Sequence, residues 1–323
     1  MTLPRVYLVD ASIYIFRAWH TYEPSITDRE GRPVNAVFGF SDFLYQLVKR
    51  VQPRHIACAF DASQRLSFRK EIYPEYKANR VPAPEELKHQ FAMCKAFCRS
   101  VGIAEFDSER YEADDIIGSL AHRFRQQGHP ITVISADKDL TQLVVNEHDR
   151  WWDFARDTEL DAHGVKRHFG VLPGQIADML ALSGDKIDNI PGIPGVGYAT
   201  AAKILQKYAT IEAILANQEH IAAMKFRGAV RVQALLNAHR HMLPRNKLLT
   251  TVATDMEFAT PPQLRWLGVD TTAFSAYNDQ LGFKGAMQQR WLHLSPLDSE
   301  TVAAPIAGSE DAIDSAAAIL ACP

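Results

Sequence analysis

The chain opens with short apolar runs that alternate with longer amphipathic stretches. In the amphipathic stretches, apolar residues recur at helical spacing, as in 40–51 and 116–124. Strands that alternate with helices predict an α/β fold, with a mostly parallel central sheet flanked by helices. The predicted strands lie at 5–9, 55–60, 103–106, 131–135 and 150–154.

The alternation ends near residue 160, and short helices joined by Gly and Pro turns follow. We therefore expect an α/β domain over 1–172 and a mainly helical domain over 173–295. Residues 296–323 are rich in Ala and contain no Lys or Arg. We expect this tail to be flexible and without chemistry.

An insertion at about 62–88 separates a predicted strand from the next helix. Long insertions beside the ligand-binding end of a sheet are usually functional. This one mixes basic and aromatic residues, a combination that suits phosphate contacts with base stacking. A surface helix whose aromatic residues pack on the core accounts for the pattern equally well. The residues concerned are Arg65, Phe68, Arg69, Lys70, Tyr73, Tyr76, Lys77 and Arg80.

Nine carboxylates are candidates for a common site, because several of them follow the predicted strands directly. Ligands of an open α/β sheet bind outside the carboxyl ends of its strands, where such acids would converge. Clustered acids raise one another's pKa and destabilise the fold, and divalent cations relieve that repulsion. The pattern predicts a metal site with oxygen-only ligands, although each acid alone could cap a strand or a helix. The acids are Asp10, Asp61, Glu112, Asp114, Asp115, Asp137, Asp139, Asp185 and Asp188.

A Gly-rich turn follows in the helical part of the chain. Its G-x-x-G-x-G order, with no strand before it, argues against a dinucleotide site. We expect a helical hairpin over 176–207, whose second helix presents backbone N–H groups to a phosphate. An ordinary connection between helices would use Gly and Pro equally well. The residues assigned to this grip are Gly192, Gly195, Gly197, Lys203 and Lys207.

Charge is distributed unevenly along the chain. The net charge of -3 gives no overall sign of nucleic-acid binding. Residues 220–254 nevertheless contain no acid, while Arg227 and five other Lys or Arg residues occur there. A one-sign stretch of this kind indicates a polyanion surface. Neither a signal stretch nor an apolar run long enough to cross a membrane is evident, so we expect a cytoplasmic monomer.

Together these motifs resemble the 5′-nuclease (flap endonuclease) family, in particular the N-terminal 5′-exonuclease domain of bacterial DNA polymerase I. The likeness runs in order from about residue 5 to about residue 292, and no single motif carries it. Polymerase and proofreading modules are not part of the sequence, so the resemblance implies a free-standing nuclease. The matching stretches are Leu8-Val9-Asp10, Phe60-Asp61, Phe68-Arg69, Tyr76-Lys77-Ala78-Asn79-Arg80, Glu112-Ala113-Asp114-Asp115, Asp137-Lys138-Asp139-Leu140, Gly184-Asp185-Lys186-Ile187-Asp188-Asn189-Ile190-Pro191-Gly192, Gly195-Val196-Gly197 and Phe226-Arg227-Gly228.

The resemblance implies a two-metal mechanism using Mg²⁺, for which Mn²⁺ can substitute. The substrates would be 5′ flaps and nicked or gapped duplex DNA, with RNA–DNA primer hybrids as further candidates, in replication and repair. The first metal cluster would be Asp10, Asp61, Glu112 and Asp114, and the second Asp137, Asp139 and Asp185, with Asp115 and Asp188 as auxiliary acids.

The resemblance also assigns roles to the insertion and the hairpin. Lys77 and Arg80 would hold the scissile phosphate with help from Arg17, and Tyr76 would stack on a displaced base. The insertion would be the family's arch, with Arg69, Lys70 and Tyr73 as further DNA contacts. The hairpin would grip duplex backbone and hold K⁺ on turn carbonyls.

Two positions depart from the family pattern. Ala11 and Ala136 stand where Gly is usual, which is compatible with the site if neither backbone needs a positive φ. Three rival interpretations remain open. They are a non-catalytic DNA-structure-binding protein with the same fold, an RNA-directed nuclease of the PIN type and, more distantly, a nicotinamide enzyme.

Overall fold

The computed structural model describes residues 3–62, 67–282 and 286–294, and a six-stranded sheet forms its centre. Arg65 and the Ala-rich tail lie outside the described residues. The strands are β1 (Val6–Asp10), β2 (His55–Asp61), β3 (Ala104–Ser108), β4 (Ile131–Ile134), β5 (Arg150–Asp153) and β6 (Thr158–Leu160). They lie in the order β3-β2-β1-β4-β5-β6, and all neighbours pair in parallel except β5 and β6.

Helices cover both faces of the sheet and form the C-terminal part of the chain. A 3-10 helix, Lys138–Leu143, follows β4. The α-helices are α1 (Ala11–Thr21), α2 (Asn35–Val51), α3 (Phe68–Ile72), α4 (Glu85–Ser100), α5 (Ala113–Gln126), α6 (Ala162–Phe169), α7 (Ile176–Ser183), α8 (Tyr198–Tyr208), α9 (Ile211–Ala216), α10 (Ala229–His239), α11 (Leu243–Thr250), α12 (Thr271–Leu281) and α13 (Ala286–Leu292).

The central strands are apolar on both faces because both faces are covered. Val6 and Leu8 of β1 pack in one cluster with α5, whereas Val9 packs in a second cluster with α1, α2 and α4. Such strands read as continuous apolar runs, which made them visible in the sequence. The predicted mostly parallel sheet with flanking helices is confirmed. The pattern missed β6, a three-residue edge strand that is mostly exposed.

The order of the strands reverses at β1. The chain passes from β1 outward to β2 and β3, then returns across α5 to place β4 on the other side of β1. A crevice opens at such a switch point, outside the carboxyl ends of the strands. Asp10 is the last residue of β1 and Asp61 the last of β2, so the fold delivers both acids there.

Between α7 and α8 the chain makes a two-strand hairpin, β7 (Gly184–Asp185) and β8 (Ile190–Pro191). A Cβ on Gly192 would overlap backbone atoms of Ser183 and Gly184, so the two segments cross where only glycine fits. Among the described residues, no helix is long and apolar enough to cross a membrane.

Candidate metal centre and nucleic-acid interface

The acids at the ends of β1 and β2 are held by neighbouring backbone and hydroxyl groups. Ser135, which follows β4, donates to Asp10 Oδ2 over 2.8 Å. The Ala113 N–H, at the start of α5, donates to Asp61 Oδ1 over 3.0 Å. The strand ends and the N-terminus of α5 therefore meet at one edge of the sheet.

A tight turn after β4 brings two further acids to the same edge. The Asp137 N–H donates to Ser135 Oγ, and the Asp139 N–H donates to Asp137 Oδ1, both over 2.9 Å. The indole of Trp151 donates to the Asp137 carbonyl over 2.8 Å. The turn is thus fixed from both sides.

Burial and mutual repulsion make three of these acids hard to ionise. Burial, then repulsion by Asp61, raises the pKa of Asp10 to about 7. Burial, then repulsion by Asp137, raises the pKa of Asp139 to about 8. Burial, with repulsion by Asp137 and Asp10, places the pKa of Asp114 well above its ordinary value. In each case another carboxylate of the cluster contributes to the pKa shift, so these charges lie close enough to interact strongly.

Glu112 is instead surrounded by donors. Burial would raise its pKa, but the Lys77 ammonium at 2.8 Å and the Arg69 guanidinium at 3.7 Å outweigh that effect and lower it. Tyr76 donates a third contact to the same carboxylate over 3.0 Å. Glu112 therefore holds its negative charge at neutral pH.

Asp185 lies at the entrance of the β7–β8 hairpin and pairs with Lys138. Lys138 Nζ is 2.8 Å from Asp185 Oδ2 and 3.1 Å from Asp139 Oδ1. Burial would raise the pKa of Asp185, and the hydrogen bond from Lys138 reverses that direction. Lys138 thus links the turn after β4 to the helical part of the chain.

The foot of the arch, residues 75–80, is bonded to the hairpin loop 186–189. One backbone hydrogen bond joins them, from the Lys77 N–H to Asp188 O (3.0 Å). Two side-chain amides add to it, Asn79 Nδ2 donating to Lys186 O (2.9 Å) and Asn189 Nδ2 donating to Glu75 O (2.7 Å). Arg80 also forms an ion pair with Asp188 at 2.6 Å. The positive end of the arch is thereby held against the acids.

The turn before α8 leaves an open surface. A Cβ on Gly197, the residue that caps α8, would meet nothing within 4 Å. Gly195 has a φ of +77°, which favours glycine. Lys203, Lys207 and Arg227 are all exposed, and their contact with DNA stays a prediction.

The carboxylate oxygens of this crevice are the candidate ligands for a divalent metal. As the side chains stand, no group of three or more acids in the described part of the chain is arranged to hold an ion. Asp139 Oδ1 is nevertheless buried without a hydrogen bond, despite the lysine 3.1 Å away. Clustered carboxylates that resist ionisation and offer only oxygen ligands fit Mg²⁺, Mn²⁺ or Ca²⁺.

Two family models cover most of the chain. The model described as 5′-3′ exonuclease, N-terminal resolvase-like domain, matches residues 5–170. The model described as 5′-3′ exonuclease, C-terminal SAM fold, matches residues 171–272. This chain belongs to the 5′-3′ exonuclease family.

Individual relatives agree with that membership. A 5′-3′ exonuclease of Aquifex aeolicus is 40% identical over 214 residues, which cover 66% of this chain and 73% of the relative. DNA polymerase I of Rhizobium leguminosarum is 36% identical over 261 residues, which are 78% of this chain and only 25% of that protein. The chain thus spans about a quarter of the length of that polymerase.

Solved structures extend the likeness of the fold. The T5 5′-exonuclease with zinc bound gives a TM-score of 0.60 at 23% identity, covering 77% of this chain and 90% of that one. The catalytic core of Rad2 in complex with DNA substrate gives 0.58 at 14% identity, covering 90% and 92%. At these identities the likeness shows a shared fold alone.

Arg69 and Asp115, two of the predicted site residues, are buried against each other in this structure. Arg69 was expected to contact DNA, but it is 3% exposed and binds the Asp115 carboxylate through both terminal nitrogens, at 2.6 and 2.8 Å. Asp115 was expected to serve the metals, but its oxygens also accept from the N–H groups of Glu112 and Ala253. The Arg69 guanidinium and the Asp115 carboxylate therefore bind each other in the protein interior.

The stacking of Tyr76 on a displaced base stays a prediction, and the side chain is buried in this structure. Tyr76 is 2% exposed, and its hydroxyl donates to Glu112 and bonds Asp188, each at 3.0 Å. Tyr73 is half-buried beneath the Arg245 guanidinium, 4.4 Å from its ring centre. The aromatic residues of the arch therefore pack on the core, as one of the two sequence interpretations allowed.

Other residues took part without being predicted. Lys138 lies between Asp137 and Asp139 in the sequence, and this position could have indicated that it pairs with an acid of the site. Tyr198, at the start of α8, lies close enough to Lys138 for their charges to interact, and nothing in the sequence indicated this. Arg17 and Lys70 are half-buried. Neither Ala11 nor Ala136 has a positive φ, so the family's usual Gly is not required at either position.

The raised pKa values predict how stability depends on pH in a chelating buffer. Folded Asp10, Asp114 and Asp139 bind protons more tightly than the unfolded chain, so their contribution is complete below about pH 4. It is lost as the pH rises through about 7 for Asp10 and about 8 for Asp139. The melting temperature in EDTA should therefore fall between about pH 5 and about pH 8.

Thermal melts with EDTA or with MnCl₂ test this prediction. Mn²⁺ should restore most stability at the alkaline end, where the acids are ionised. Asp10→Asn should flatten the EDTA profile, whereas Asp161→Asn, at the N-cap of α6, should leave its slope unchanged. A pH-independent melting temperature in EDTA would contradict the predicted repulsion.

Proposed function

We propose that this chain is a structure-specific 5′ nuclease that hydrolyses phosphodiester bonds at 5′ ends or flaps of branched, nicked or gapped duplex DNA. The observation that carries the proposal is the meeting of acids from β1, β2, β4 and α5 with Lys77 and Arg80 of the arch. Acids to hold metal ions and cations to hold a phosphate are then present in one crevice. We also propose that it acts as a monomer in the cytoplasm, in replication and repair.

The acids would hold two divalent ions, with Mg²⁺ as the proposed species and Mn²⁺ as a substitute. Asp10, Asp61, Glu112 and Asp114 would serve one ion, and Asp137, Asp139 and Asp185 the other. Bound ions of this kind activate a water and stabilise the leaving oxygen of a phosphodiester.

The chain's own cations would orient the substrate. Lys77 and Arg80 would bind the scissile phosphate and offset its developing charge, with Arg17 as a further contact. Burial would lower the pKa of Lys77, but the Glu112 and Asp188 carboxylates outweigh that effect and raise it, so Lys77 remains charged at neutral pH. A fixed positive charge at the acids suits a dianionic transition state.

The helical part would hold the duplex. In this proposal the division lies at about 172, with the hairpin over 176–207 gripping backbone phosphates and binding K⁺ on turn carbonyls. The exposed basic residues of 220–254 would extend that surface. RNA–DNA primer hybrids are proposed as further substrates.

Replacing Lys203 with Ala should weaken duplex binding and reduce its salt dependence. One lost phosphate contact lowers the slope of log K against log salt by roughly 0.9. Binding of a nicked duplex in Ca²⁺ at several salt concentrations measures the slope. Lys166→Ala, on α6, is the matched exposed lysine control. An unchanged salt slope for Lys203→Ala would show that the hairpin does not bind the duplex backbone through this lysine.

Product lengths test the proposed function as a whole. A 5′-labelled flap, a nicked duplex and a primer hybrid should each be cut near the junction or the 5′ end in Mg²⁺, and none in EDTA. Tight binding without cutting would instead support the non-catalytic DNA-binding protein. Preferential cutting of single-stranded RNA would support the PIN-type rival.

A further inference from the structure

Residues 249–253, the last two residues of α11 and the three that follow it, are linked to both groups of acids through Arg69 and Gln142. This segment is called the strap here. The strap belongs to the helical part of the chain, yet it lies along α5 and beside the 3-10 helix that carries Asp139. Its backbone supplies the partners of two side chains that lead directly to the candidate metal centre.

The first attachment runs through Arg69 to Glu112. Arg69 donates from Nε to Leu249 O over 2.9 Å and from Nη2 to Thr251 O over 3.0 Å. The same guanidinium forms both bonds to Asp115, whose Oδ2 accepts from the Glu112 N–H over 3.0 Å. The backbone of Glu112 is therefore fixed to the strap through one buried ion pair.

The second attachment runs through Gln142 to the turn after β4. Gln142 donates to Thr250 O over 2.9 Å and accepts from the Val252 N–H over 3.3 Å. It stands on the 3-10 helix Lys138–Leu143, which also contains Asp139. The strap thus holds the second group of acids by a paired amide contact.

Close approach to α5 completes the arrangement. Gly118 lies in the middle of α5, where glycine costs about 1 kcal/mol relative to Ala. A Cβ at this position would overlap the carbonyl oxygen of Ala253 and lie 2.7 Å from Val252 Cγ1. The glycine therefore permits a contact between the helix and the strap that no other residue would allow.

We infer that the strap is a positioning element that sets the distance between the two groups of acids. The inference rests on the proposed function, because it assigns these acids to metal ions. Removing a group that orients metal ligands typically weakens metal binding or activity by about 10- to 100-fold. The strap continues from α11, so the helical part of the chain takes part in building the acid site.

Two variants disturb the strap without touching an acid. Gly118→Ala should displace it from α5 while raising helix propensity, and Gln142→Met should remove the second attachment while keeping its volume. We expect each to weaken Mn²⁺ binding by about tenfold. The Mn²⁺ requirement for flap cleavage should rise by the same factor. Calorimetric titration of the full chain with Mn²⁺, without DNA, supplies a readout independent of cleavage.

Matched controls exist elsewhere in the fold. Gly39 in α2 would also meet close neighbours if replaced by Ala, with Tyr22 Cε2 at 2.5 Å and Ala18 Cβ at 2.7 Å. Gln90 is a buried glutamine that accepts from the Ala36 N–H over 2.7 Å and donates to Asn35 over 3.1 Å. Gly39→Ala and Gln90→Met should lose stability while keeping the Mn²⁺ affinity of the wild type.

The outcomes separate the inference from the proposed function. Wild-type Mn²⁺ affinity in folded Gly118→Ala and Gln142→Met would overturn the inference, and so would equal losses in the controls. If Gly118→Ala does not fold, Gln142→Met decides. If the wild-type chain binds Mn²⁺ but cuts no DNA, the proposed function fails. Weakened Mn²⁺ binding in the strap variants would then still support the positioning role.

Discussion

Replacing Asp137 with Asn is expected to abolish strand cleavage while leaving DNA binding in Ca²⁺ intact. Asp137 repels Asp10, Asp114 and Asp139, so its charge acts on members of both groups of acids. Asn keeps an oxygen for the Asp139 N–H, so the turn should survive. Loss of several kcal/mol of charge stabilisation predicts a rate at least about a thousandfold lower.

Single-turnover cleavage of a labelled 5′-flap duplex measures this effect. Asp161→Asn is the matched control, because Asp161 also caps a turn by accepting a backbone N–H, at 2.6 Å from Gly164, outside the acid group. It should cut at the wild-type rate. A cleavage rate of Asp137→Asn within about tenfold of wild type would show that Asp137 is not a required metal ligand. The variant should also be more stable than wild type in EDTA, since one repelling charge is gone.

The second large effect is on stability. Arg69→Met should lower the free energy of unfolding by about 3–5 kcal/mol, because it leaves a buried carboxylate without its counter-ion. Asp115 is fully buried and loses both bonds from the guanidinium at once. Leu249 and Thr251 lose the donor to their carbonyl groups as well. Urea unfolding in EDTA measures the change.

A double variant separates the effect of the unpaired Asp115 charge from the effect of the smaller side chain at position 69. Arg69→Met with Asp115→Leu removes both charges and should recover much of the stability, since apolar replacement of a buried pair is often nearly neutral. Arg110→Met is the exposed control. Arg110 makes two similar bonds to Glu71, at 2.7 and 3.2 Å, but in solvent. Arg110→Met should leave the free energy of unfolding almost unchanged, because an ion pair in solvent contributes little. Equal losses at both sites would contradict the buried role of Arg69.

The sheet and its acids were predictable because their signals are local. A buried parallel strand is a continuous apolar run, and an acid at its end is adjacent in sequence, as with Asp10 after Val6–Val9. Parallel topology then brings such ends together by a general rule. Finding the strands and bringing their ends together thus requires only the local sequence and the alternation of strands and helices.

The roles of Arg69 and Tyr76 were not predictable in the same way. Their sequence neighbours are basic and aromatic, which indicates DNA contact, but their partners are remote along the chain. Arg69 bonds Leu249, 180 residues away, and Tyr76 bonds Asp188, 112 residues away. Only the three-dimensional contact decides whether such a side chain faces solvent or fills a buried position. A glycine within a predicted helix indicates a close contact, but the sequence does not show that the contact of Gly118 is with Val252 and Ala253.

The bonds between residues 75–80 and the loop 186–189 have a consequence for how a substrate could enter. Lys77 and Asp185 are carried by one bonded unit, so their separation does not depend on the rest of the arch. Beyond that unit the chain runs through residues 81–84, where Val81 is 90% exposed. Among the described residues, no hydrogen bond ties Val81 to the hairpin loop, so the bonded unit ends at Arg80. A displacement of the chain beyond Arg80 would therefore leave the spacing between the Lys77 ammonium and the acids unchanged.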